Sequence, residues 1–286
     1  MPELPEVETI RKDLSRLIVN KKIVSIEINL KRIIKPNTKV FSGTLKNNKF
    51  AQIERIGKLL IFKLADHKKY LLVHLKMTGQ LIYQKNKKII PGGHSDKSSI
   101  ENLPNKFTRV IFNFFDGGKL FFNDARTFGY LKIVGKEELE IIKNKFGIEP
   151  MTENFKLEDF EKIIKSRKTN IKAVLLNQQL ISGIGNIYAD EILFLAKVKP
   201  DRVASKLTKK EIKNIFEATG KIIRNAIKYR GTTFNDYLDA NGNKGNFVKF
   251  LKVYQKEGER CLVCSSLIKK TKVAGRGTRY CPHCQK

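Results

Sequence analysis

Short runs rich in β-branched, aromatic and other apolar residues follow one another between Ile23 and Tyr130, a pattern that predicts β-strands. Asp116-Gly117-Gly118 separates two of these runs and is typical of a hairpin turn. Many short strands separated by turn residues predict an antiparallel sandwich or barrel. The clearest runs are Ile23–Ile28, Leu59–Phe62, Tyr70–Leu75, Arg109–Phe114 and Leu120–Phe122.

Two stretches of this half of the chain depart from the strand pattern. The first begins at Pro5, which suits the first position of a helix, and continues at helical spacing to about Leu17. Acidic residues at its start suit a helix N-terminus. The second, from Gln84 to Lys106, is polar and contains Gly, Pro and Ser, so it predicts a long exposed loop.

Beyond Gly147–Pro150 the periodicity becomes helical. Thr208, followed three residues later by Glu211, predicts a capping box at the start of the last helix. The change of pattern places a domain boundary within residues 136–150. The predicted helices are Leu157–Lys165, Ile171–Gln179, Tyr188–Ala196 and Lys209–Tyr229.

A glycine-containing stretch, Leu180–Ile187, connects the second and third of these helices. Gly183 and Gly185 precede the helix, so free backbone N–H groups and the helix dipole would meet at one point. Such a point is suited to a phosphate group. A glycine-rich helix connection without any ligand is the alternative.

The composition adds a strong charge imbalance. The 286 residues include 57 Lys and Arg against 28 Asp and Glu, which gives a net charge of +29 and a pI near 9.9. This imbalance predicts a polyanionic partner and salt-sensitive binding, with a lysine-rich genome as the alternative cause. The length suits two domains. No apolar run reaches the ~18 residues of a membrane span, and the acidic start does not resemble a signal peptide, so we expect a cytoplasmic protein.

All four cysteines lie in the last 26 residues and form two CxxC pairs separated by 16 residues. This is the spacing of a four-thiolate zinc ribbon, and it argues against a disulfide framework. His283, inside the second pair, is the alternative to one thiolate. The predicted ligands are Cys261, Cys264, Cys281 and Cys284.

The segment between these pairs has the character of a basic hairpin. From Cys261 to Lys286 there are six Lys and Arg residues and no acidic residue. Arg276 stands between Gly275 and Gly277, where a tip is expected. We interpret the segment as a hairpin that faces DNA. A C-terminus that zinc holds together, with a solvated basic face, is the structural alternative.

The N-terminus carries a candidate nucleophile. An initiator Met before a small residue such as Pro2 is normally removed, which would leave a secondary amine beside the carboxyl group of Glu3. An α-amino group titrates at a pKa of about 8, against about 10.4 for Lys, so far more of it is neutral at pH 7. A neutral amine beside a proton donor is what imine chemistry at a sugar C1′ requires.

Five motifs follow one another from Pro2 to the end of the chain: PELPEVET, HLKMTG, NDARTFG, GIGNIYADE and CxxC…CPHCQ. In this order they resemble the formamidopyrimidine-DNA glycosylase family. The resemblance implies an enzyme that removes oxidised purines, chiefly 8-oxoguanine and formamidopyrimidines, from double-stranded DNA and then cuts the strand by β- and δ-elimination. It also implies a nucleoid-associated monomer with one structural zinc ion.

The resemblance further implies an α+β multidomain fold. An N-terminal antiparallel β-sandwich with an N-terminal helix would occupy residues 1–135, and a linker would follow at 136–150. A helix–two-turn–helix DNA-binding domain would span 151–241. A zinc-ribbon hairpin would occupy 242–286.

The same resemblance assigns roles to residues near the N-terminus. Pro2 would attack C1′ of the damaged nucleotide and form a Schiff base. Glu3 would act as general acid at the sugar ring oxygen and relay protons through both eliminations, and Glu6 would support the site. Lys58 would act both in catalysis and in binding a DNA phosphate.

Other roles concern the extruded base, whose flipping costs a few kcal/mol. Met77, Arg126 and Phe128 would fill the void that it leaves in the duplex, and Arg126 would pair with the orphaned cytosine. Asn186 and Arg276 would bind DNA phosphates. The stretch from Gly231 to Phe247 matches the loop that closes over the lesion.

The chain departs from the family pattern at three places. Asn177 replaces an acidic residue that is frequent in the family, and Thr127 replaces a frequent basic residue. The stretch from Gln84 to Lys106 is longer than usual. These departures concern lesion preference and fine DNA contacts, whereas the residues for the chemistry are intact.

Two other functions compete with this interpretation. One is endonuclease VIII, a sister glycosylase for oxidised pyrimidines, whose N-terminus usually has Gly where this chain has Leu4. The other is a DNA-binding protein without catalysis, against which the intact Pro2, Glu3 and Lys58 argue. For the zinc ribbon, a purely structural role is the alternative to DNA contact.

Overall fold

The computed structural model describes residues 1–66, 68–86, 88–92, 102–232 and 247–286. Its contacts divide the chain into two compact units. The N-terminal unit comprises Met1–Asn144 and Tyr229–Asn246, and the C-terminal unit comprises Lys145–Lys228 and Phe247–Lys286. In the described part of the chain, no helix combines the length and the apolar character that a membrane span needs.

The N-terminal unit contains two five-stranded sheets. The strand order is β1-β8-β9-β6-β7 in one sheet and β2-β10-β5-β4-β3 in the other, and every neighbouring pair except β2 with β10 is antiparallel. Among the described residues, three helices accompany the sheets: α1 (Leu4–Leu17), α2 (Thr38–Leu45) and α3 (Lys136–Lys143). The strands are β1 (Ile23–Ile28), β2 (Ile34–Lys35), β3 (Phe50–Ile56), β4 (Leu59–Leu64), β5 (Lys69–His74), β6 (Gly79–Lys85), β7 (Lys88–Ile90), β8 (Thr108–Phe114), β9 (Lys119–Asp124) and β10 (Tyr130–Gly135).

One apolar core joins both sheets and the first two helices. Alternate residues of the strands point into it, as the period of two predicts. Phe112 of β8 and Phe50 of β3 meet edge to face across the sheets, with ring centroids 6.3 Å apart. Val7 and Leu14 of α1 pack into the same core. This arrangement is the predicted sandwich, with an N-terminal helix against it.

The structure confirms some local predictions in this unit and corrects others. Helix α1 and strand β1 lie where the sequence placed them, and the Gly118 carbonyl closes the predicted hairpin by accepting from the Phe114 N–H at 2.8 Å. The predicted loop from Gln84 to Lys106 is wrong at its start, because β6 continues to Lys85 and β7 pairs back onto it. The β-branched residues Ile89 and Ile90 favour that strand, and Ile90 is buried. Residues 93–101 of that prediction lie outside the described residues. Helix α3 lies within the predicted linker.

The C-terminal unit is built from helices and one hairpin. Thr208 and Glu211 form the predicted capping box, in which Oε2 of Glu211 accepts from the Thr208 N–H at 2.7 Å. The second predicted helix ends early, at Leu176, because the Asn177 side chain accepts from the Gln179 N–H and competes with helical bonding. The helices are α4 (Leu157–Lys165), α5 (Ile171–Leu176), α6 (Asn186–Leu195) and α7 (Lys209–Lys228), and the hairpin strands are β11 (Lys269–Val273) and β12 (Arg276–Tyr280).

Candidate active site

The first residues of the chain are buried at the start of α1. Pro2, Glu3 and Glu6 are all buried, although two of them carry carboxyl groups. The backbone N–H of Glu3 donates to Oε2 of Glu6 at 2.8 Å, and the two residues form a capping box. This reciprocal bonding fixes the backbone next to Pro2, and it follows from having Glu three residues after the helix cap.

The other oxygen of Glu6 holds a distant part of the chain. Oε1 of Glu6 accepts from the backbone N–H of Thr232 at 2.7 Å and from its hydroxyl group at 3.1 Å. Gly231 passes so close that a Cβ there would lie 2.6 Å from the same oxygen, and its φ of +85° also favours glycine. Glu6 therefore fixes the start of the stretch that follows Tyr229. Residues 233–246, the rest of the predicted lesion-closing loop, lie outside the described residues.

The N-terminal amine has charged neighbours from three separate parts of the sequence. Burial lowers the pKa of the Met1 amine; Glu3 and Glu6 oppose this, while Lys58 and Arg126 lower the pKa further. Lys58 is buried in the turn between β3 and β4, after Gly57 at a φ of +54°. The fold therefore brings Glu3, Glu6, Lys58 and Arg126 to one amine.

The three predicted void-filling residues lie on two turns of the sandwich. Met77 is on the turn between β5 and β6, and Arg126 and Phe128 are on the turn between β9 and β10. All three side chains are exposed, which is unusual for a Met and a Phe in a folded protein. The Arg126 guanidinium lies 4.8 Å from the centroid of the Phe128 ring, a cation–π contact.

His74 ends the strand before Met77 and was not predicted as a site residue. Its Nδ1 accepts from the backbone N–H of Lys76 at 3.0 Å. Burial, together with the charges of Lys76 and Lys58, lowers the pKa of His74 to about 3. A neutral imidazole therefore shapes the turn that carries Met77, where Lys76 has a φ of +50°.

The glycine-containing stretch before α6 is held by Gln178. Its Oε1 accepts from the N–H of Gly183 at 2.8 Å, and its Nε2 donates to the carbonyl of Ile184 at 2.8 Å. Asn186 begins the helix, and its Nδ2 donates to the carbonyl of Gly277 at 3.0 Å. The structure thus brings Asn186 beside Arg276, and the amide has a second N–H that suits an acceptor such as phosphate.

Buried charges connect α5 and α6 to the C-terminal hairpin, and the sequence did not predict them. Nζ of Lys172 donates to Oδ1 of Asp190 at 2.6 Å and to the hydroxyl of Thr278 at 2.7 Å. Oδ2 of Asp190 accepts from the N–H of Arg279 at 2.9 Å. Lys172, Asp190 and Thr278 are fully buried. Burial raises the pKa of Asp190 to about 6, although Lys172 opposes this.

The next residue, Glu191, fixes a second piece of chain. Its carboxylate accepts from three successive backbone N–H groups, those of Lys252, Val253 and Tyr254, at 2.8–2.9 Å. Glu191 is buried, so these bonds replace the water that a carboxylate needs. The guanidinium of Arg279 lies 4.9 Å from the centroid of the Tyr254 ring. Asp190 therefore holds β12 against α6, and Glu191 holds residues 252–254 against the same helix.

The four cysteines form a site that fits zinc. Their sulfur atoms all lie within 4.8 Å of one another, and His283 is exposed and outside the cluster. Tetrahedral coordination at ~2.3 Å implies sulfur separations of roughly 3.8 Å, close to the observed 3.9 Å for Cys261–Cys284 and 3.4 Å for Cys264–Cys281. The four thiolates would hold one structural Zn²⁺.

Arg276 does not occupy the turn of the hairpin but follows it. Ala274 and Gly275 form the two-residue turn, both at positive φ, and Arg276 pairs with Val273 as the first residue of β12. Its side chain is exposed. The described structure therefore leaves Arg276 able to reach a partner next to the tip.

Three residues whose contacts the sequence did not predict lie within its motifs. These are His74 in HLKMTG, and Asp190 and Glu191 in GIGNIYADE. The roles of Asp190 and Glu191 could not be assigned from sequence, because their partners lie far away in the chain. The state of His74 depends on its burial and on the charges of Lys76 and Lys58, which its motif alone does not reveal. Thr232, which bonds to Glu6 226 residues earlier, lies outside these motifs.

Three families match successive parts of the chain. Residues 1–131 match the formamidopyrimidine-DNA glycosylase N-terminal domain, residues 146–237 the corresponding H2TH domain, and residues 258–286 a zinc finger found in FPG and IleRS.

Full-length relatives are named formamidopyrimidine-DNA glycosylase. The protein from Pelotomaculum thermopropionicum is 39% identical over 100% of this chain and 99% of its own length. The protein from Carboxydothermus hydrogenoformans is 41% identical over 100% of both chains. Among solved structures, Lactococcus lactis Fpg in complex with DNA containing an abasic site is similar at a TM-score of 0.88, with 34% identity over 99% of each chain. A mutant of that enzyme with Fapy-dG containing DNA also gives a TM-score of 0.88, with 33% identity over 100% of each chain.

Proposed function

Because the chain belongs to the formamidopyrimidine-DNA glycosylase family, it is a bifunctional DNA glycosylase and abasic-site lyase of base-excision repair, and we propose that Pro2 is its nucleophile. Its substrate is double-stranded DNA that contains oxidised purines. This partner would place the protein on the nucleoid. The observation that carries the proposal is the convergence of Glu3, Glu6, Lys58 and Arg126 on the N-terminal amine.

The surroundings of the amine suit a nucleophile. Burial and the charges of Lys58 and Arg126 lower the pKa of the Met1 amine. After removal of Met1, the same environment one residue along would favour the neutral form of the Pro2 amine. Its nitrogen would attack C1′ of the damaged nucleotide while the bond from C1′ to the base breaks, and the base would leave with a proton.

Glu3 would protonate the sugar ring oxygen as the imine forms, and its buried position keeps the proton transfer local. Abstraction of a proton from the neighbouring sugar carbon would expel the 3′ phosphate, and a second elimination would expel the 5′ phosphate. Hydrolysis of the imine would return the free Pro2 amine. The result is a one-nucleotide gap with phosphate at both ends.

Contacts to the DNA backbone would come from three residues. Lys58 lies beside the amine, whereas Asn186 and Arg276 lie together in the C-terminal unit through the bond of Asn186 to Gly277. Met77, Arg126 and Phe128 would enter the duplex where the base has left. Zinc, when bound by Cys261, Cys264, Cys281 and Cys284, supplies structural support for the hairpin.

The test is borohydride trapping on a duplex with 8-oxoguanine opposite cytosine, followed by mass spectrometry of the adduct. A covalent complex at Pro2 would support the nucleophile, the removal of Met1 and the purine lesion together. Pro2→Gly should abolish incision while retaining lesion binding, and incision by that variant at the normal rate would rule out Pro2. Protein that retains Met1 serves as the control, because its Pro2 nitrogen is an amide.

The same assay separates the alternatives. Trapping only with an oxidised pyrimidine would indicate the specificity of endonuclease VIII. Binding without trapping on either lesion, by protein shown to begin at Pro2, would indicate a DNA-damage-binding protein without catalysis.

A further inference from the structure

The two turns that carry the void-filling side chains lie side by side. Each turn crosses from one sheet of the sandwich to the other. At both sheets, the residue at the end of one turn pairs with the residue at the end of the other turn. Gly79 pairs with Asp124 where the turns meet one sheet, and His74 pairs with Tyr130 where they meet the other. The position of Met77 relative to Arg126 therefore depends on what connects these two turns.

The carboxylate of Asp124 makes that connection. Its Oδ1 accepts from the hydroxyl of Thr78 on the first turn and from the backbone N–H of Arg126 on the second, the latter at 3.2 Å. Its Oδ2 accepts from the N–H of Gly129 at 2.7 Å. The Thr78 hydroxyl also accepts from the Arg126 N–H at 3.0 Å. Asp124 is fully buried, and bonds to a buried carboxylate are strong and directional.

These hydrogen bonds stabilise an unfavourable backbone conformation in the turn between β9 and β10. Thr127 has a φ of +57°, a region that side chains with a Cβ rarely adopt. Gly129 has no room for a side chain, because a Cβ would lie 2.7 Å from the Phe122 ring and 3.0 Å from Oδ2 of Asp124. Residues in such conformations persist when the surrounding structure determines them. Here Asp124 bonds to the residues on either side of Thr127 and Phe128.

We propose that Asp124 is a positioning residue that fixes Arg126 and Phe128 relative to Met77 and thereby sets how the enzyme discriminates the base opposite the lesion. The inference rests on the proposed function of these three exposed side chains. None of the three needs this fixed spacing for packing, since all are exposed. Binding to a duplex does require a fixed spacing of these side chains, because the void and the orphaned base lie a fixed distance apart in DNA.

Two variants test the role of the carboxylate. Thr78→Val keeps the shape of the side chain and removes the hydroxyl that links the turns. Asp124→Asn keeps the shape of the side chain but replaces one carboxylate oxygen, an acceptor, by an amide nitrogen, a donor. At least one of the three hydrogen bonds that Asp124 accepts is therefore lost. The matched control is Thr219→Val in α7, because Thr219 is fully buried, as Asp124 is, and in the described part of the chain its hydroxyl bonds within its own helix, to the Ile215 carbonyl.

Three rates should be compared under single-turnover conditions: excision of 8-oxoguanine opposite cytosine, excision opposite adenine, and cleavage of a single-stranded oligonucleotide that already contains an abasic site. We expect both variants to slow excision opposite cytosine by about tenfold or more, since a buried bond to a charged group is lost. The ratio of the excision rate opposite cytosine to the excision rate opposite adenine should fall. Cleavage at the abasic site should fall less than excision opposite cytosine does, because no base must be replaced or recognised and both reactions share only the effect of the Arg126 charge on the amine.

A purely structural role predicts a different pattern. If Asp124 serves only folding, all three rates fall together, the melting temperature falls with them, and the cytosine-to-adenine ratio does not move. That result, or a ratio that changes equally in Thr219→Val, would overturn the proposal. Failure of the wild-type protein to cleave any of the three substrates would count against the proposed function instead.

Discussion

The β-sandwich and the zinc hairpin both carry exposed side chains for which we propose DNA contacts, but the two regions are held together in different ways. The main core cluster of the sandwich has 27 buried residues, whereas the cluster around the hairpin has five, two of them cysteines. In the sandwich, buried carboxylates such as Asp124 refine turns whose strands are already fixed by this core. In the C-terminal unit, Asp190, Glu191 and the metal site hold segments that pack against a much smaller apolar cluster. Loss of one polar group should therefore have local effects in the sandwich, whereas in the C-terminal unit it should unfold a segment.

The largest effect should come from the metal ligands. Cys281→Ser should prevent zinc binding, and the segment from residue 258 onward should become susceptible to protease, since structural zinc in finger peptides contributes roughly 10–16 kcal/mol. The sandwich should keep its protection because its core holds none of the zinc ligands. Limited proteolysis with mass spectrometry and a zinc assay would measure both effects.

His283→Ala is the control for this prediction, because His283 lies next to Cys284 but is exposed and outside the cluster. It should retain one zinc ion per chain. Loss of zinc in that variant would show that His283 is a ligand, and loss of protection in the sandwich of Cys281→Ser would contradict the comparison.

The next largest effect concerns the buried ion pair of the C-terminal unit. Lys172→Met should lower the free energy of unfolding by about 3–5 kcal/mol, because it leaves the charge of Asp190 buried without its cation. The hairpin should loosen as well, since Lys172 also donates to Thr278. Denaturant unfolding of the variant would measure the loss.

The double variant Lys172→Met with Asp190→Asn should recover part of that loss. An Asn at position 190 is neutral and still offers an oxygen to the N–H of Arg279. If the double variant is no more stable than Lys172→Met, the stranded charge is not the cause.

The same contrast explains how much of the molecule could be predicted from sequence. Local signals were reliable where they act within a few residues: the helix Leu157–Lys165, the Thr208 cap and the spacing of the four cysteines were all confirmed. Glu191 could not be assigned, because its three N–H partners lie 61–63 residues away. Asp124 was visible in a motif, but its role depends on the register of β6 against β9.

Acid should affect the two units with opposite sign. The folded-state pKa of His74 is about 3, below its usual value near 6.5, so its contribution to stability is complete above pH 6.5 and is lost as the pH falls toward 3. At pH 5 the loss is about 2 kcal/mol. Asp190, whose pKa is raised to about 6, acts in the other direction, because its contribution is lost as the pH rises through 6.

Unfolding of the wild type at pH 7 and pH 5 would measure this effect, with His74→Asn as the comparison. Asn offers an oxygen to the N–H of Lys76 but does not titrate. The variant should therefore lose less stability on acidification than the wild type does. An equal loss would exclude His74 as the source.

The smallest effect should come from removing an exposed arginine of the hairpin. Arg276→Ala removes no buried contact, so folding and zinc content should not change. If Arg276 binds a phosphate, affinity for DNA falls, and the slope of log K against log salt becomes shallower by about 0.9. Lys213→Ala is the control, because Lys213 is an exposed residue of α7 with Glu217 near its charge.

A variant of Lys58 provides a second comparison between the sandwich and the hairpin. It is buried in the sandwich, so Lys58→Ala should weaken DNA binding and stability together, whereas Arg276→Ala should weaken binding alone. An unchanged salt slope in Arg276→Ala would mean that the hairpin serves only as a structural element. The polar groups that hold it, Lys172, Asp190 and Glu191, would then stabilise the fold without organising a DNA contact.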